Sequence, residues 1–146
     1  KQGLRTQFSY KLNSIFTFRS RVELSWFDKK SKASQNGFLI YTDLLYKPLL
    51  KPFSGNVRLQ YFETDGYDSR LYAYENDVLY SFSIPVFYDK GYRYYVNINY
   101  DLSRKLSFWV KFSQTIYPGK TDISSGLNAI KGNTKSEAKI QIIYSF

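Results

Sequence analysis

The chain has 146 residues, about the length of one domain. It contains no Cys and no His, which excludes disulfides, thiolate metal sites and the hydrolases that use a catalytic His. The net charge is +9, and aromatic residues make up 20% of the chain. Tyr and Trp favour surfaces with one apolar and one aqueous side. The composition therefore suits either a membrane interface or a Tyr-rich soluble β-protein.

The sequence predicts no transmembrane helix, because no run of about 18 apolar residues occurs. A transmembrane strand needs only about 9–11 residues, so the negative mean hydropathy is compatible with a membrane β-barrel. The chain opens without Met or an apolar leader. From this we expect either a mature form or a piece of a longer protein.

Alternating apolar and polar residues predict strands along most of the chain, and no helical period is seen. Residues 69–88 are ambiguous, since they suit one long strand or two short strands divided at 75–77. The other predicted strands are, in chain order, residues 4–12, 16–26, 37–46, 56–61, 92–100, 106–113 and 136–146. Turns are predicted at 13–14, 47–52, 64–66 and 101–104, and loops at 28–36 and 118–135. The predicted fold is all-β, an antiparallel meander in a single region, residues 1–146.

The alternation fits both a soluble sandwich and a membrane barrel. In a sandwich the apolar face is the core and the polar face meets water. In a barrel the apolar face meets lipid and the polar face lines the lumen. Several predicted strands reach about 10–13 residues, whereas globular strands usually have about 5–6. Aromatic residues also cluster at strand ends, as the girdles of a membrane barrel require, and both observations favour the barrel.

The last predicted strand is apolar on one face and ends on an aromatic residue. Its apolar face carries Ile140, Ile142, Tyr144 and Phe146. This ending resembles the terminal strand of Gram-negative outer-membrane β-barrels, which closes the barrel and is recognised by the assembly machinery. The resemblance implies an outer-membrane location and an assembly signal at these four residues. It also implies outer-membrane lipids, lipopolysaccharide, the barrel-assembly machinery and other outer-membrane subunits as partners.

Turn lengths predict a topology once the C-terminus is placed in the periplasm. If residues 69–88 are two strands, the periplasmic turns are short, the outer loops are longer and the strand count is nine. Nine strands cannot close a bacterial barrel, so this count predicts the C-terminal part of a larger barrel. If residues 69–88 are one strand, the count is eight. We favour nine strands, and an eight-stranded closed barrel is the alternative.

Three further stretches carry a second resemblance: residues 58–77, 91–95 and 124–133. Together they resemble the C-terminal barrel portion of large outer-membrane proteins that have a helix-hairpin-helix segment near their N-terminus. The resemblance covers most of residues 38–146, and it implies truncation because no helix-hairpin-helix sequence is present. The DNA-related role suggested by that segment is not carried over, and we infer no nucleic-acid partner.

One set of basic residues is predicted to point the same way and to line a basic lumen: Arg19, Arg21, Arg58, Arg93 and Lys111. The alternative is that they pair with Glu23, Asp43 and Glu137 and plug the barrel. The two loop clusters of Lys, at 29–32 and 120–135, are interpreted as solvated charge, with anionic lipid head groups as the alternative contact.

Other polar clusters have structural explanations. Turn chemistry accounts for Glu63, Asp65 and Asp68 without a Ca²⁺ ion. Glu75 and Asp77 are expected to form a structural ion pair with Arg70. The glycines at 119, 126 and 132 lack the strand-to-helix context of a phosphate loop. We therefore predict no catalytic residue, no metal site and no cofactor.

The predicted function is that of a non-enzymatic outer-membrane β-barrel protein. It would act as a structural, porin-like transport or complex-forming subunit, with a C-terminal assembly-signal strand. The alternative is a soluble or surface-exposed Tyr-rich β-sandwich that binds glycan or nucleic acid through exposed rings.

Overall fold

The computed structural model describes residues 1–28, 30, 33–123 and 129–146, and β-strands dominate them. In chain order the strands are β1 (Gln2–Lys11), β2 (Phe16–Phe27), β3 (Gln35–Tyr46), β4 (Phe53–Thr64), β5 (Leu71–Tyr72), β6 (Val86–Phe87), β7 (Lys90–Asp101), β8 (Leu106–Ile116), β9 (Asp122–Ile123), β10 (Ile130–Lys131) and β11 (Thr134–Tyr144). Tyr67–Ser69 forms one turn of 3-10 helix. Within the described residues, no helix is long and apolar enough to cross a membrane.

Seven long strands form one antiparallel sheet in the order β1-β2-β3-β4-β7-β8-β11. Each long strand pairs with the next long strand along the chain, so the sheet is a simple meander. The predicted all-β antiparallel meander is therefore confirmed. Within the described residues β1 and β11 do not pair with each other, so this sheet is open and not closed as a barrel.

The main sheet has seven strands and not the predicted eight or nine, because residues 69–88 add no strand to it. Residues 65–89, which we call the covering segment, contain only short elements: the 3-10 turn, β5, β6 and one isolated bridge between Glu75 and Ser83. Side chains of the sheet bind several of its backbone carbonyls instead. Arg58 donates to the carbonyl of Tyr74 at 2.7 Å, and Asn97 donates to that of Asp77 at 3.0 Å. These bonds take the place of a strand ladder.

The connections differ in length between the two ends of the sheet. One end has the short turns 12–15, 47–52 and 102–105, and the other end has the longer connections 28–34, 65–89 and 117–133. The predicted turn at 13–14 is stabilised by Asn13, whose side-chain oxygen accepts hydrogen bonds from the backbone N–H groups of Ile15 and Phe16, each at 2.8 Å. Parts of both predicted loops, residues 29, 31–32 and 124–128, lie outside the described residues.

The two faces of the sheet have opposite exposure. The apolar face carries large hydrophobic side chains that remain exposed, including Phe8 at 58%, Leu59 at 65% and Ile140 at 75%. On the central strands the polar face is largely buried, although it carries charges such as Arg58, which is 1% exposed. On the edge strands β1 and β11 this face is more open. In a soluble sandwich the burial is the other way round, with the apolar face inside.

The covering segment lies against the polar face near the end with long connections. Leu71, Ala73 and Phe87 of this segment pack on Leu39 and Phe62 of the sheet, and this small cluster is the hydrophobic core. The approach is close at Gly37, where a Cβ atom would lie 2.5 Å from the Ser69 carbonyl oxygen. Gly37 is therefore needed because any side chain would push the covering segment off the sheet.

Candidate functional site

The covering segment brings Glu75 into contact with two basic side chains of the sheet. Arg93 on β7 binds both carboxylate oxygens of Glu75, through Nε at 2.6 Å and Nη2 at 2.9 Å. Lys111 on β8 donates to Glu75 Oε2 at 3.1 Å. Glu75 is fully buried, and Arg93 and Lys111 are 4% and 3% exposed. Buried charges of this kind are tolerated only when they are paired and hydrogen-bonded, as they are here.

Asp77 extends the same network towards the edge strand of the sheet. Its Oδ2 atom lies 2.6 Å from Lys139 Nζ on β11 and 3.4 Å from Lys111 Nζ. Its Oδ1 atom accepts a hydrogen bond from the backbone N–H of Val78 at 2.8 Å. The network therefore holds two carboxylates against three basic side chains and links the covering segment to β7, β8 and β11.

Burial opposes ionisation of Glu75, but Arg93 and Lys111 outweigh that cost and hold the pKa of its carboxyl below the usual range. The pKa of Asp77 is also lowered, because Lys139, the Val78 backbone N–H and Lys111 outweigh the effect of burial. Both carboxyl groups are therefore ionised at neutral pH. An ionised carboxylate held by cations is a structural group and a poor general acid.

A second ion pair joins β3 and β4. Arg58 binds both oxygens of Asp43 at 2.6 and 2.7 Å, and the Asp43 side chain is fully buried. The guanidinium carbon of Arg58 lies 3.6 Å from the centre of the Tyr41 ring, which adds a cation–π contact. Asp43 and Arg58 also stand opposite each other in the register of the sheet.

All five predicted basic residues lie on the polar face, although the structure does not gather them into one site. Arg93 and Lys111 meet at Glu75, whereas Arg58 is held separately by Asp43. Arg21 pairs with Glu23 and donates to the Tyr72 carbonyl at 3.3 Å. Arg19 lies on β2 with a buried Nε that has no partner among the described residues.

The alternative pairing that the sequence suggested is present for Glu23 and Asp43, and Glu137 lies 3.7 Å from Arg93. The expected partner of Glu75 and Asp77 was incorrect. Arg70 binds the hydroxyl of Tyr72 at 2.9 Å and the carbonyl of Tyr67 at 3.0 Å instead. Sequence reasoning missed the contacts of Glu75 and Asp77 because their partners are far away in the chain. The useful signal was the excess of basic residues on the polar sides of the strands.

The acidic turn is explained by hydrogen bonds within the protein. Asp65 Oδ2 accepts from the backbone N–H of Asn36 at 2.8 Å and from its side-chain amide at 3.0 Å. Glu63 lies 3.5 Å from Lys90 Nζ. No group of three or more potential metal-ligating side chains occurs among the described residues. Lys29, Lys32 and Gly126 of the predicted loop clusters are not among them.

The terminal strand β11 pairs with β8 along one side only. Ile140 stands opposite Val110, Ile142 opposite Phe108, and Tyr144 opposite Leu106. The rings of Tyr144 and Phe146 meet edge to face, with centres 5.3 Å apart. The four residues of the predicted assembly signal are exposed on the apolar face or beyond its end.

No family model, no curated protein and no solved structure matches the chain.

Proposed function

We propose that the chain forms membrane-spanning strands of an outer-membrane β-barrel, in which the apolar face meets lipid and the polar face lines the lumen. The barrel serves as a non-enzymatic structural, transport or complex-forming subunit. The observation that carries the proposal is the inverted burial of the sheet. Paired charges fill its covered face, while Leu59, Ile140 and Ile142, at 62–75% exposure, stand on its open face. In the described part of the chain no second layer covers that open face.

The apolar side chains form a band whose position changes from strand to strand. On β2 the band begins at Phe16, which the register places level with Ile140 on β11. On β11 the band continues beyond that level, towards the end of the sheet with short turns, to Tyr144 and Phe146. Between β2 and β11 the edge of the band at the end with short turns therefore shifts by four to six residues, or roughly 13–20 Å along the strands. The five strand spacings between β2 and β11 total roughly 24 Å. The implied tilt of about 30–40° overlaps the tilt of membrane strands, which is about 35–45°.

Aromatic side chains border the band on both sides, as membrane interfaces favour. At the end with short turns, the rings of Phe16 and Tyr46 are 5.1 Å apart and those of Tyr46 and Phe53 are 5.9 Å apart. At the opposite end, the rings of Tyr61 and Tyr92 are 5.2 Å apart. The short turns would face the periplasm and the longer connections the exterior, as in bacterial barrels.

A charge placed in the band tests the proposal. Leu59→Arg puts a charge near the middle of the apolar band and should disrupt outer-membrane insertion, at a cost of about 2–4 kcal/mol. Leu102→Arg is the matched control, because Leu102 is similarly exposed at 57% but lies in a short turn. The measurement is the amount of full-length protein in the outer-membrane fraction and its need for detergent. A protein that stays monomeric in aqueous buffer, or equal behaviour of both variants, would contradict the proposal.

A further inference from the structure

A groove of about 370 Å³ lies on the open apolar face of the sheet, next to the end with short turns. It lies at Gly55 on β4, which stands in one row of the register with Tyr46 on β3 and Ile98 on β7. The missing side chain of Gly55 leaves a gap between these two larger residues. A Cβ atom at this position would lie 2.5 Å from the Asn97 carbonyl oxygen, so the pairing of β4 with β7 requires the glycine and keeps the gap open.

The walls of the groove are apolar. Asn56 and Asn97 border it, but their side-chain amides donate hydrogen bonds on the polar face of the sheet. The other wall residues are Phe16, Leu44, Tyr46, Phe53, Val57, Val96 and Ile98. The volume falls within the usual range of ligand sites, about 300–1,000 Å³. The part of a ligand that fills this groove must therefore be a hydrocarbon.

The short turns beside the groove are joined to one another. The Lys47 backbone N–H donates to the Ile15 carbonyl at 2.9 Å, which connects the first turn to the second. The Asp101 backbone N–H donates to the Pro52 carbonyl at 2.8 Å, which connects the second turn to the third. The three turns therefore form one continuous border of the sheet. We call residues 11–15, 47–52 and 101–105 the rim.

The rim is strongly basic. Its single acidic residue is Asp101, against five basic residues: Lys11, Lys47, Lys51, Arg104 and Lys105. All five basic residues are exposed, and none of them forms an ion pair with a residue that the structure describes. The opposite end of the sheet mixes both signs, as in Asp65, Asp68 and Arg70. The positive charge that lacks a partner is therefore concentrated at one end, beside the groove.

Aliphatic side chains of the rim are also exposed. Leu49 and Leu50 are 89% and 96% exposed, and they stand between Lys47 and Lys51 in the second turn. At a membrane surface, apolar side chains enter the acyl region while neighbouring Lys and Arg side chains reach the phosphates. The rim therefore suits the interface between acyl chains and anionic head groups.

We propose that the groove and the rim together bind an anionic phospholipid, with one acyl chain in the groove and the phosphodiester on the cations of the rim. Lys47, which follows Tyr46, and Lys51, two residues before Phe53, are the cations nearest to the groove along the chain. This inference rests on the proposed function, in which the apolar face meets lipid and the short turns face the periplasm. It adds a particular class of lipid at a particular place.

The same observations disfavour other occupants. A free phosphate ion would leave the apolar groove empty. A zwitterionic lipid adds its own cation to a border that already carries five, so it gains less than an anionic lipid. A second copy of the chain in the same bilayer orientation would bring its own basic rim to the same level, and the two rims would repel each other.

Quenching by brominated lipids tests the site directly. Phe53→Trp, in a chain whose native Trp26 and Trp109 are replaced by Phe, places a single fluorescent residue on the wall of the groove. The full-length protein is inserted into mixed vesicles of phosphatidylcholine and phosphatidylglycerol, in which one of the two lipids carries brominated acyl chains. Quenching by brominated phosphatidylglycerol should exceed that expected from its share of the bilayer by about threefold. Quenching in proportion to the bulk composition would overturn the proposal.

Charge reversal tests the rim. Lys47→Glu combined with Lys51→Glu should abolish the preference for phosphatidylglycerol. Lys30→Glu combined with Lys131→Glu is the matched control, because it changes the net charge equally at exposed positions of the opposite end and should keep the preference. Equal loss in both double variants would overturn the assignment to the rim. Displacement of the lipid by sodium phosphate, against sodium chloride at the same ionic strength, would show a free-anion site instead.

Filling the groove tests the place of the acyl chain. Val57→Phe should weaken the preference, because its larger side chain occupies the groove. Val110→Phe is the matched control, since both valines are 41% exposed on the apolar face and Val110 lies outside the groove. Equal preference in the two variants would overturn the binding of an acyl chain at Gly55.

Insertion into the vesicles separates this inference from the proposed function. Protein that inserts but shows no preference for phosphatidylglycerol removes only the phospholipid site. Protein that does not insert removes the proposed function and the phospholipid site together.

Discussion

At the scale of single residues, Glu75 joins the covering segment to two strands of the sheet. Its carboxylate is fully buried and contacts Arg93 and Lys111, whose own exposures are only 4% and 3%. Such a network stabilises the fold only while every charge keeps its partner. Loss of Glu75 would leave two buried cations with weaker partners at 3.7 Å and 3.4 Å, namely Glu137 and Asp77.

Glu75→Gln should therefore destabilise the protein by about 3–5 kcal/mol, because it removes one partner of a buried ion pair. Glu63→Gln is the matched control, since Glu63 pairs with Lys90 on an exposed part of the sheet, and little or no loss is expected there. Urea unfolding followed by intrinsic fluorescence measures both variants in the same detergent. Equal urea midpoints for the two variants would contradict the role given to Glu75.

The lowered pKa of Glu75 also predicts a pH dependence. A carboxyl group whose pKa is lower in the folded state stabilises the fold fully above its unfolded pKa, which is about 4.3 for Glu. That stabilisation is lost as the pH falls through the folded pKa. The difference in urea midpoint between the wild type and Glu75→Gln should stay constant from about pH 8 to about pH 5.5 and shrink below about pH 4. A difference that grows on acidification would contradict the assignment.

At the scale of elements, the long strands could be predicted from the sequence and the covering segment could not. The period of two in residues 16–26 and 106–113 is local, so it predicts β2 and β8 without knowledge of their neighbours. Glu75 is 18 residues from Arg93 and 36 from Lys111. Contacts at that separation depend on the register of the whole sheet.

The covering segment should obstruct the lumen of the proposed barrel. Replacing residues 70–86 with a Gly-Ser linker of equal length removes Glu75, Asp77 and two members of the small core, Leu71 and Ala73, and should raise the single-channel conductance in planar bilayers. Replacing residues 33–34 with Gly-Ser, in the long connection 28–34, is the control and should leave the conductance unchanged. A conductance that does not rise in the first variant would show that the segment does not fill the pore.

The terminal strand carries a separate prediction. If the chain belongs to the proposed barrel, deletion of Phe146 should abolish outer-membrane assembly while synthesis continues, because residues 136–146 resemble the terminal strand that the assembly machinery recognises in such barrels. Phe146→Tyr keeps an aromatic ring and should assemble normally. Quantitative blotting of the outer-membrane fraction measures both variants. Normal membrane levels of the deletion variant would remove the assembly signal from the account.

At the scale of the whole molecule, the number of strands sets a condition on closure. With seven antiparallel strands, β1 and β11 run in the same direction, so they cannot pair antiparallel with each other. A barrel made of two copies related by rotation about the barrel axis would also place β11 of one copy beside a parallel β1 of the other. An all-antiparallel barrel therefore needs an odd number of further strands between these two edges. This is consistent with the proposal that the sheet is part of a larger barrel.

The inverted burial of the sheet is tested most directly by the environment of single spin labels. The chain has no native Cys, so each labelled Cys is unique. Leu59→Cys and Val110→Cys report on the apolar face, and Ser54→Cys and Ser107→Cys report on the polar face of the same strands. In lipid bilayers, collision with lipid-soluble oxygen should exceed collision with a water-soluble nickel chelate at the first pair only. Preferential access of the nickel chelate to Leu59→Cys and Val110→Cys would contradict the account.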